Sequence, residues 1–343
     1  VDPRRAHAAY LEVRRFGSLD GLRFLAVVPV VYHHATPRVL EGILGKGPLG
    51  VDLFFAISGF LITTLLLRER ARTGTVGIAG FYGRRARRIL PLYYAVLVLT
   101  CVRALSLDAA SPVRAHFFAS VPFYATFTST WFVDTSVAHP ILFAYAWSLA
   151  VEEQFYAVWP HVARRGPLVA AVVALGFLGV DLAGGRVLSG LPLAIVSSLR
   201  PPLVLGAFAA CVLHTERGFG WAVRLVGSRV AAPVVLGAVV FSLATSHVSL
   251  LATQVLLVLL VVACVVREDS GLAEVLCLRP VRHVGEVSYG IYMLHLAAIF
   301  VAKRVVSSEV ASGAAVFAIA LPLSVALATL SHRYFESRFL GQK

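Results

Sequence analysis

The sequence predicts an all-α integral membrane protein of about ten transmembrane helices with both termini cytoplasmic, and three observations carry that expectation. Hydrophobic residues fill 58% of the 343 positions and charged residues only 14%. Soluble domains carry about 25% charge, so this chain has too little to solvate a compact surface. Apolar runs long enough to cross a ~30 Å hydrocarbon core, at about 1.5 Å of helix per residue, recur along its length. Arginines gather in alternate connections, as the positive-inside rule requires of cytoplasmic loops. The 31 basic residues against 18 acidic ones, a net charge of +13, are therefore assigned to topology rather than to a nucleic-acid partner.

The N-terminal arm, residues 1–18, holds Arg4, Arg5, Arg14 and Arg15. No small-residue cleavage site follows it, so it is expected to be a retained cytoplasmic arm. Spans are predicted near residues 22–36, 50–67, 89–107, 146–162, 168–183, 193–213, 230–246, 250–266, 287–302 and 313–330, within a membrane domain running over 19–339. A tail over 340–343 is placed inside. This orientation puts Arg68, Arg70, Arg72, Arg84, Arg85, Arg87 and Arg88 inside, together with Arg164, Arg165, Arg217, Arg224, Arg229, Arg267, Arg279 and Arg282. Lys303 and Arg304 are the main exceptions. The longest outer connection, about 106–145, contains an aromatic, nearly uncharged run from Phe117 to Trp131 that fits an interfacial or re-entrant segment, or a short eleventh span. Cys101, Cys211, Cys264 and Cys277 form no C-x-x-C pair, which predicts neither a zinc site nor a disulfide framework but thiols buried in helices.

Charges inside spans are costly and mark candidate functional positions. In the first span Arg23 and His34 are eleven positions apart, which at ~100° per residue returns to within about 20° of one face and separates them by about 16 Å. His33 points about 80° away, which favours His34 for chemistry. Pro29 between them is expected to kink or rotate the helix. Asp52 enters the second span at the depth of His34, either to orient its imidazole or to serve as a first-turn acid at the helix N-terminus. The fourth span opens with Trp147, Ser148 and Leu149 and carries Glu152 and Glu153 in its outer half. At the inner side, Arg85 and Arg88 share a helical face. Clustered guanidinium groups suit phosphates bidentately, while the bland alternative is a headgroup contact. In the ninth span Ser288, Tyr292 and His295 share a face, as they also would in a packed polar seam.

These motifs together resemble the membrane-bound acyltransferase family 3. They are Gly21-Leu22-Arg23 with His34, Gly50-Val51-Asp52-Leu53-Phe54-Phe55 leading to Ser58-Gly59-Phe60-Leu61, Phe81-Tyr82 with Arg84-Arg85 and Arg88-Ile89-Leu90-Pro91, Trp147-Ser148-Leu149 with Glu152, and Ser288-Tyr289-Gly290-Ile291-Tyr292 with His295. The resemblance runs from Leu19 to Phe339 and departs at Tyr145, where relatives often have His.

The resemblance implies a multi-pass enzyme of the bacterial inner membrane that moves an acyl group, usually acetyl, from cytoplasmic acyl-coenzyme A to a hydroxyl of an envelope carbohydrate such as lipopolysaccharide or peptidoglycan. A macrolide or other natural product is the alternative acceptor. On that expectation Arg23, Arg85, Arg88 and Ser288 hold the donor, and His34, oriented by Asp52 or Glu152, removes the hydroxyl proton while Tyr292 or Ser288 stabilises the oxyanion. No metal is called for. A transporter or flippase would also carry intramembrane charge, but broken helices and inverted repeats are not visible in the sequence.

Overall fold

The computed structural model describes residues 3–36, 46–187, 190–245, 247–306 and 313–341. Residues 37–45, which join the first two predicted spans, Ser246 at the end of the seventh, and 342–343 of the predicted tail lie outside the described residues. The described chain is helical, without strands. In order the helices are α1 (Pro3–Glu12), α2 (Gly17–Ala35), α3 (Pro48–Thr73), α4 (Ile78–Leu105), α5 (Pro112–Ala125), α6 (Ser129–Phe132), α7 (Trp147–Ala163), α8 (Pro167–Val187) and α9 (Gly190–Ser198). They continue as α10 (Pro201–Leu213), α11 (Glu216–Val226), α12 (Ala231–Ala244), α13 (Leu250–Val266), α14 (Ala273–Leu276), α15 (Arg279–Glu286), α16 (Ser288–Val305) and α17 (Gly313–Tyr334).

Local chemistry sets many of these boundaries. Proline occupies the first turn of α3, α5, α10 and α15, where its missing N–H costs nothing. Ser249 caps α13 by accepting from the Ala252 amide at 3.3 Å, and Thr215 caps α11 through Gly218. Gly74 ends α3 in a left-handed conformation, φ 79°, that lets its amide reach the Arg70 carbonyl. Helix α2 runs unbroken through Pro29, where the sequence predicts a kink.

Three helical segments are long and apolar enough to cross a membrane: Pro48–Thr73, Ile78–Leu105 and Gly313–Arg338. The number rises to six if each of three bent pairs is one span: α9 with α10 at 54°, α11 with α12 at 71° and α15 with α16 at 78°. Helices α8 and α13 contribute shorter apolar segments. The sequence thus predicts more simple spans than the structure contains among its described residues, for two reasons. Turns interrupt several apolar runs, and α2 and α7 carry the charged residues that lower their hydropathy. Broken helices, invisible in the sequence, are a feature of the fold. Between Ser106 and Tyr145 the chain forms α5 and α6.

Large apolar side chains point outward from α4, α8 and α12, with Leu99 63%, Leu168 76% and Phe241 64% exposed. Such a surface requires hydrocarbon rather than water around it. The interior is built on the crossing of α3 and α10. A Cβ at Gly59 would strike the Leu203 carbonyl oxygen and one at Gly206 the Ala56 carbonyl oxygen, so the two backbones touch where only glycine fits. Cys211 and Cys264 are buried as expected, whereas Cys277 is exposed.

Candidate functional site

Helices α2, α3, α4, α7 and α16 surround a cavity of about 100 Å³. Six of the eight residues singled out in the sequence line it: Arg23, Arg85, Arg88, Glu152, Ser288 and Tyr292. Each arrives by simple helical geometry. Arg85 and Arg88, three apart on α4, project to one side, and Ser288 and Tyr292, four apart on α16, to another. Because α16 begins at Ser288 after its 78° bend from α15, the positive end of its dipole opens on the same cavity as the three guanidinium groups. Arg85 and Arg88 also wall an adjoining cavity of about 270 Å³ that Arg84 and Arg87 share.

The cavity's polar groups are held in defined states. Glu152 accepts from Ser58 Oγ at 2.9 Å and from the Tyr156 hydroxyl at 3.1 Å, one donor to each carboxylate oxygen. The Arg85 guanidinium lies over the Tyr156 ring at 5.3 Å. Tyr292 donates to the Tyr145 carbonyl at 2.6 Å, so its 2.6 Å contact with Ser148 is one in which Ser148 donates. The hydroxyl hydrogen that the sequence assigns to an oxyanion is thus directed at Tyr145 here. Arg23 donates to Asp20 at 2.9 Å, and Asp20 also accepts from Arg15 at 2.7 Å. Arg15 continues to Glu286 at 2.5 Å, which ties the connection leading into α2 to α15.

His34 and Asp52 are not among the residues lining this cavity. Nor are the expected orienting acids beside the imidazole. Asp52 accepts from Gln254 of α13 at 3.0 Å, and Glu152 is held by Ser58 and Tyr156. His34 instead places Nδ1 2.9 Å from the Val30 carbonyl, and its ring packs against His295 at 4.9 Å. His295 Nδ1 is 2.6 Å from the Tyr292 carbonyl, and its ring also faces Tyr145 at 5.4 Å and Tyr292 at 5.8 Å. A carbonyl only accepts, so both histidines carry their proton on Nδ1 and present Nε2 as a lone pair. His295 Nε2 is buried without a hydrogen-bond partner among the described residues. A column of rings, His34, His295, then Tyr292, therefore links His34 to the cavity wall.

Sequence reasoning placed His295 on the right face but gave it no role, quoted Ser58 and Ser148 within motifs without a role at the site, and left Tyr156 aside. Serines and tyrosines in spans are too common to stand out; Tyr156 reaches Glu152 from four residues along α7, while the packing of α7 against α3 and α16 brings Ser58 to Glu152 and Ser148 to Tyr292. Tyr145, where the family pattern departs, donates to the Met293 carbonyl at 3.1 Å and forms one side of the histidine pair.

A family model described as an acyltransferase domain matches residues 16–333. A Staphylococcus aureus (strain COL) protein provisionally named an O-acetyltransferase is 27% identical over 376 residues, covering 99% of this chain and 59% of that protein. The peptidoglycan O-acetyltransferase OatA of Listeria monocytogenes is 28% identical over 308 residues, covering 81% of this chain and 48% of its own length. YrhL of Bacillus subtilis (strain 168), provisionally named a peptidoglycan O-acetyltransferase, is 28% identical and is half covered. The chain thus spans about half to three fifths of the relatives it matches. No solved structure matches it.

Proposed function

The chain belongs to the acyltransferase-domain family that covers most of its length, and from that premise we propose that it moves an acetyl group from acyl-coenzyme A to a hydroxyl of a cell-envelope carbohydrate in the bacterial cytoplasmic membrane. The single observation that carries the donor assignment is the convergence of Arg23, Arg85 and Arg88 with the α16 N-terminus on one cavity, continuous through Arg85 and Arg88 with a second arginine-walled cavity. Such a path suits a polyanion carrying a narrow arm: phosphates on the α4 arginines, the thioester end beyond them. The relatives named for peptidoglycan support a glycan acceptor. In keeping with this, the arm and the α4 arginines face the cytoplasm and the ten predicted segments, bent ones included, lie in the membrane.

In the reaction His34, with its Nε2 lone pair, removes the proton of the acceptor hydroxyl, which requires hydroxyl and thioester to meet at the Tyr292 end of the cavity, where the ring column leads to His34. The alkoxide oxygen bonds to the thioester carbonyl carbon, the C–S bond breaks, and the sulfur leaves as coenzyme A thiolate and is protonated. His295 holds the His34 ring in place, and Glu152, fixed by two donors, keeps the cavity polar opposite the arginines. The test is transfer of label from [14C]acetyl-coenzyme A to isolated envelope glycan by the purified protein in detergent. Labelled ester with release of one thiol per acetyl is expected. A protein that neither binds the donor nor releases thiol overturns the assignment and leaves a transporter as the better account.

A further inference from the structure

A larger cavity, about 560 Å³, lies beside the first, between α4, the α5–α6 connection, α7 and α9. Arg85 and Tyr156 border both, so one guanidinium stacked on one phenol ring separates them. The larger cavity has aromatic walls, including Phe127, Trp131, Trp159 and Phe177. At its outer edge Val158 and Ile195, 53% and 40% exposed, line the cavity while facing the surrounding bilayer, so it has a lateral apolar mouth.

Among the polar groups in this lining, two buried oxygens stand out. Glu153 Oε1 and Gln154 Oε1 are buried with no hydrogen-bond partner among the described residues, and both side chains border the cavity. The Gln154 amide is fixed through Nε2, which donates to the Phe127 carbonyl at 2.7 Å and to Thr130 Oγ1 at 2.9 Å and so leaves its oxygen unclaimed. Buried oxygens without donors are rare because each costs folding free energy. Phe127 adds a second unfavourable feature, since it holds φ 55°, a region that bulky residues avoid. Strain and orphaned acceptors around one cavity are signs of a binding site.

We propose that this cavity is the acceptor subsite, and that the acceptor is an amphipathic alcohol, a hydroxyl-bearing head on an apolar body, that enters sideways from the bilayer. The inference rests on the acyltransferase assignment and adds the acceptor's class and route. A freely soluble sugar would leave the apolar walls and the mouth unmatched. A pure hydrocarbon would leave the two oxygens bare. An amphipathic alcohol satisfies both, with hydroxyls donating to Glu153 and Gln154, the body against Trp131 and Phe177, and the reactive end reaching past Tyr156 into the first cavity.

The test uses the protein in lipid nanodiscs with acetyl-coenzyme A and either octyl β-glucoside, below its micelle-forming concentration, or glucose. Half-maximal thiol release is expected at a concentration at least tenfold lower for the alkyl glucoside. Glu153→Leu and Val158→Phe should each raise its KM about tenfold with the dissociation constant for acetyl-coenzyme A within twofold of wild type, and Glu153→Gln, which keeps an acceptor oxygen, should recover most of the loss. Equal response to the two sugars, or an unchanged KM in both variants, overturns the subsite while leaving the acyltransferase assignment intact. A binding readout stands apart from turnover. In a Trp147→Phe/Trp221→Phe background, a brominated alkyl glucoside should quench Trp131 and Trp159, and Glu153→Leu should weaken that quenching. If neither sugar supports turnover, the quenching alone decides the cavity: saturable quenching sustains it, and none refutes it.

Discussion

Replacing His34 by alanine separates chemistry from architecture. The imidazole makes one hydrogen bond, 2.9 Å to the Val30 carbonyl, and two ring contacts, 4.9 Å to His295 and 5.4 Å to His33. Its removal deletes a single neutral bond to a carbonyl that the helix ladder also uses, and leaves no charge behind, so the cost in stability is about 1 kcal/mol. The cost in catalysis is larger. General-base assistance is worth about 10²–10⁴ in rate, or about 2.7–5.4 kcal/mol of barrier. Thiol release from acetyl-coenzyme A in detergent, followed with a chromogenic disulfide, should therefore fall at least a hundredfold while the protein elutes and melts nearly as wild type. His33→Ala is the control, because that ring projects from another side of α2, and it should alter the rate by no more than about 0.5 kcal/mol. A correctly assembled His34→Ala protein that keeps a tenth of wild-type turnover would refute the assignment, as would a His33→Ala protein that loses as much.

Three further outcomes follow from the same geometry. Arg88→Ala should raise KM for acetyl-coenzyme A about 10–100-fold, the worth of a charge-assisted phosphate contact of about 1.5–3 kcal/mol, and change kcat far less; steady-state kinetics separates the two. Gly59→Leu drives a side chain into the Leu203 carbonyl across the α3–α10 crossing, so it should destabilise the protein by about 2 kcal/mol or more, seen as a lower thermal midpoint in detergent. Ser148→Ala and Tyr292→Phe should be non-additive by about 1 kcal/mol in a double-mutant cycle on stability, because each removes the other's 2.6 Å partner; additive effects would mean the two hydroxyls do not interact.

How much of this was legible in the sequence depends on the range of the interaction. Arg85 with Arg88 and Ser288 with Tyr292 are helical neighbours, so local periodicity brought them to a common cavity without knowledge of the fold. Glu152 was legible because a carboxylate in a span must find partners. The distant partners were not: Ser58 is 94 residues from Glu152, and Gln254 is 202 from Asp52. The error about His34 has the same origin. Depth in the membrane placed Asp52 level with it, but depth does not tell which way a carboxylate turns, and the way α16 crosses α2 set His295 there instead. The helix breaks were hidden for a different reason. An apolar run keeps its composition through a turn, so hydropathy counts one span where the backbone bends by 54° or more.

The ion cluster at the foot of α2 bears on how fast a polyanion arrives. Arg15, Arg23 and Arg282 face Asp20 and Glu286, three positive groups against two negative ones, so from a distance the cluster carries one net positive charge rather than three. Most of the attraction that Arg23 exerts on an anion is therefore felt at contact range. Most of the long-range field at the cavity entrance comes from α4, where Glu69 of α3 pairs with Arg84 at 3.2 Å and leaves the charge of the other arginines in excess. Capture from solution should be slowed by added salt, as screening shortens the reach of the α4 arginines toward the ~8 Å Debye length of physiological buffer, while the affinity conferred by Arg23 after docking changes little. Association rate and residence time are thereby assigned to different helices.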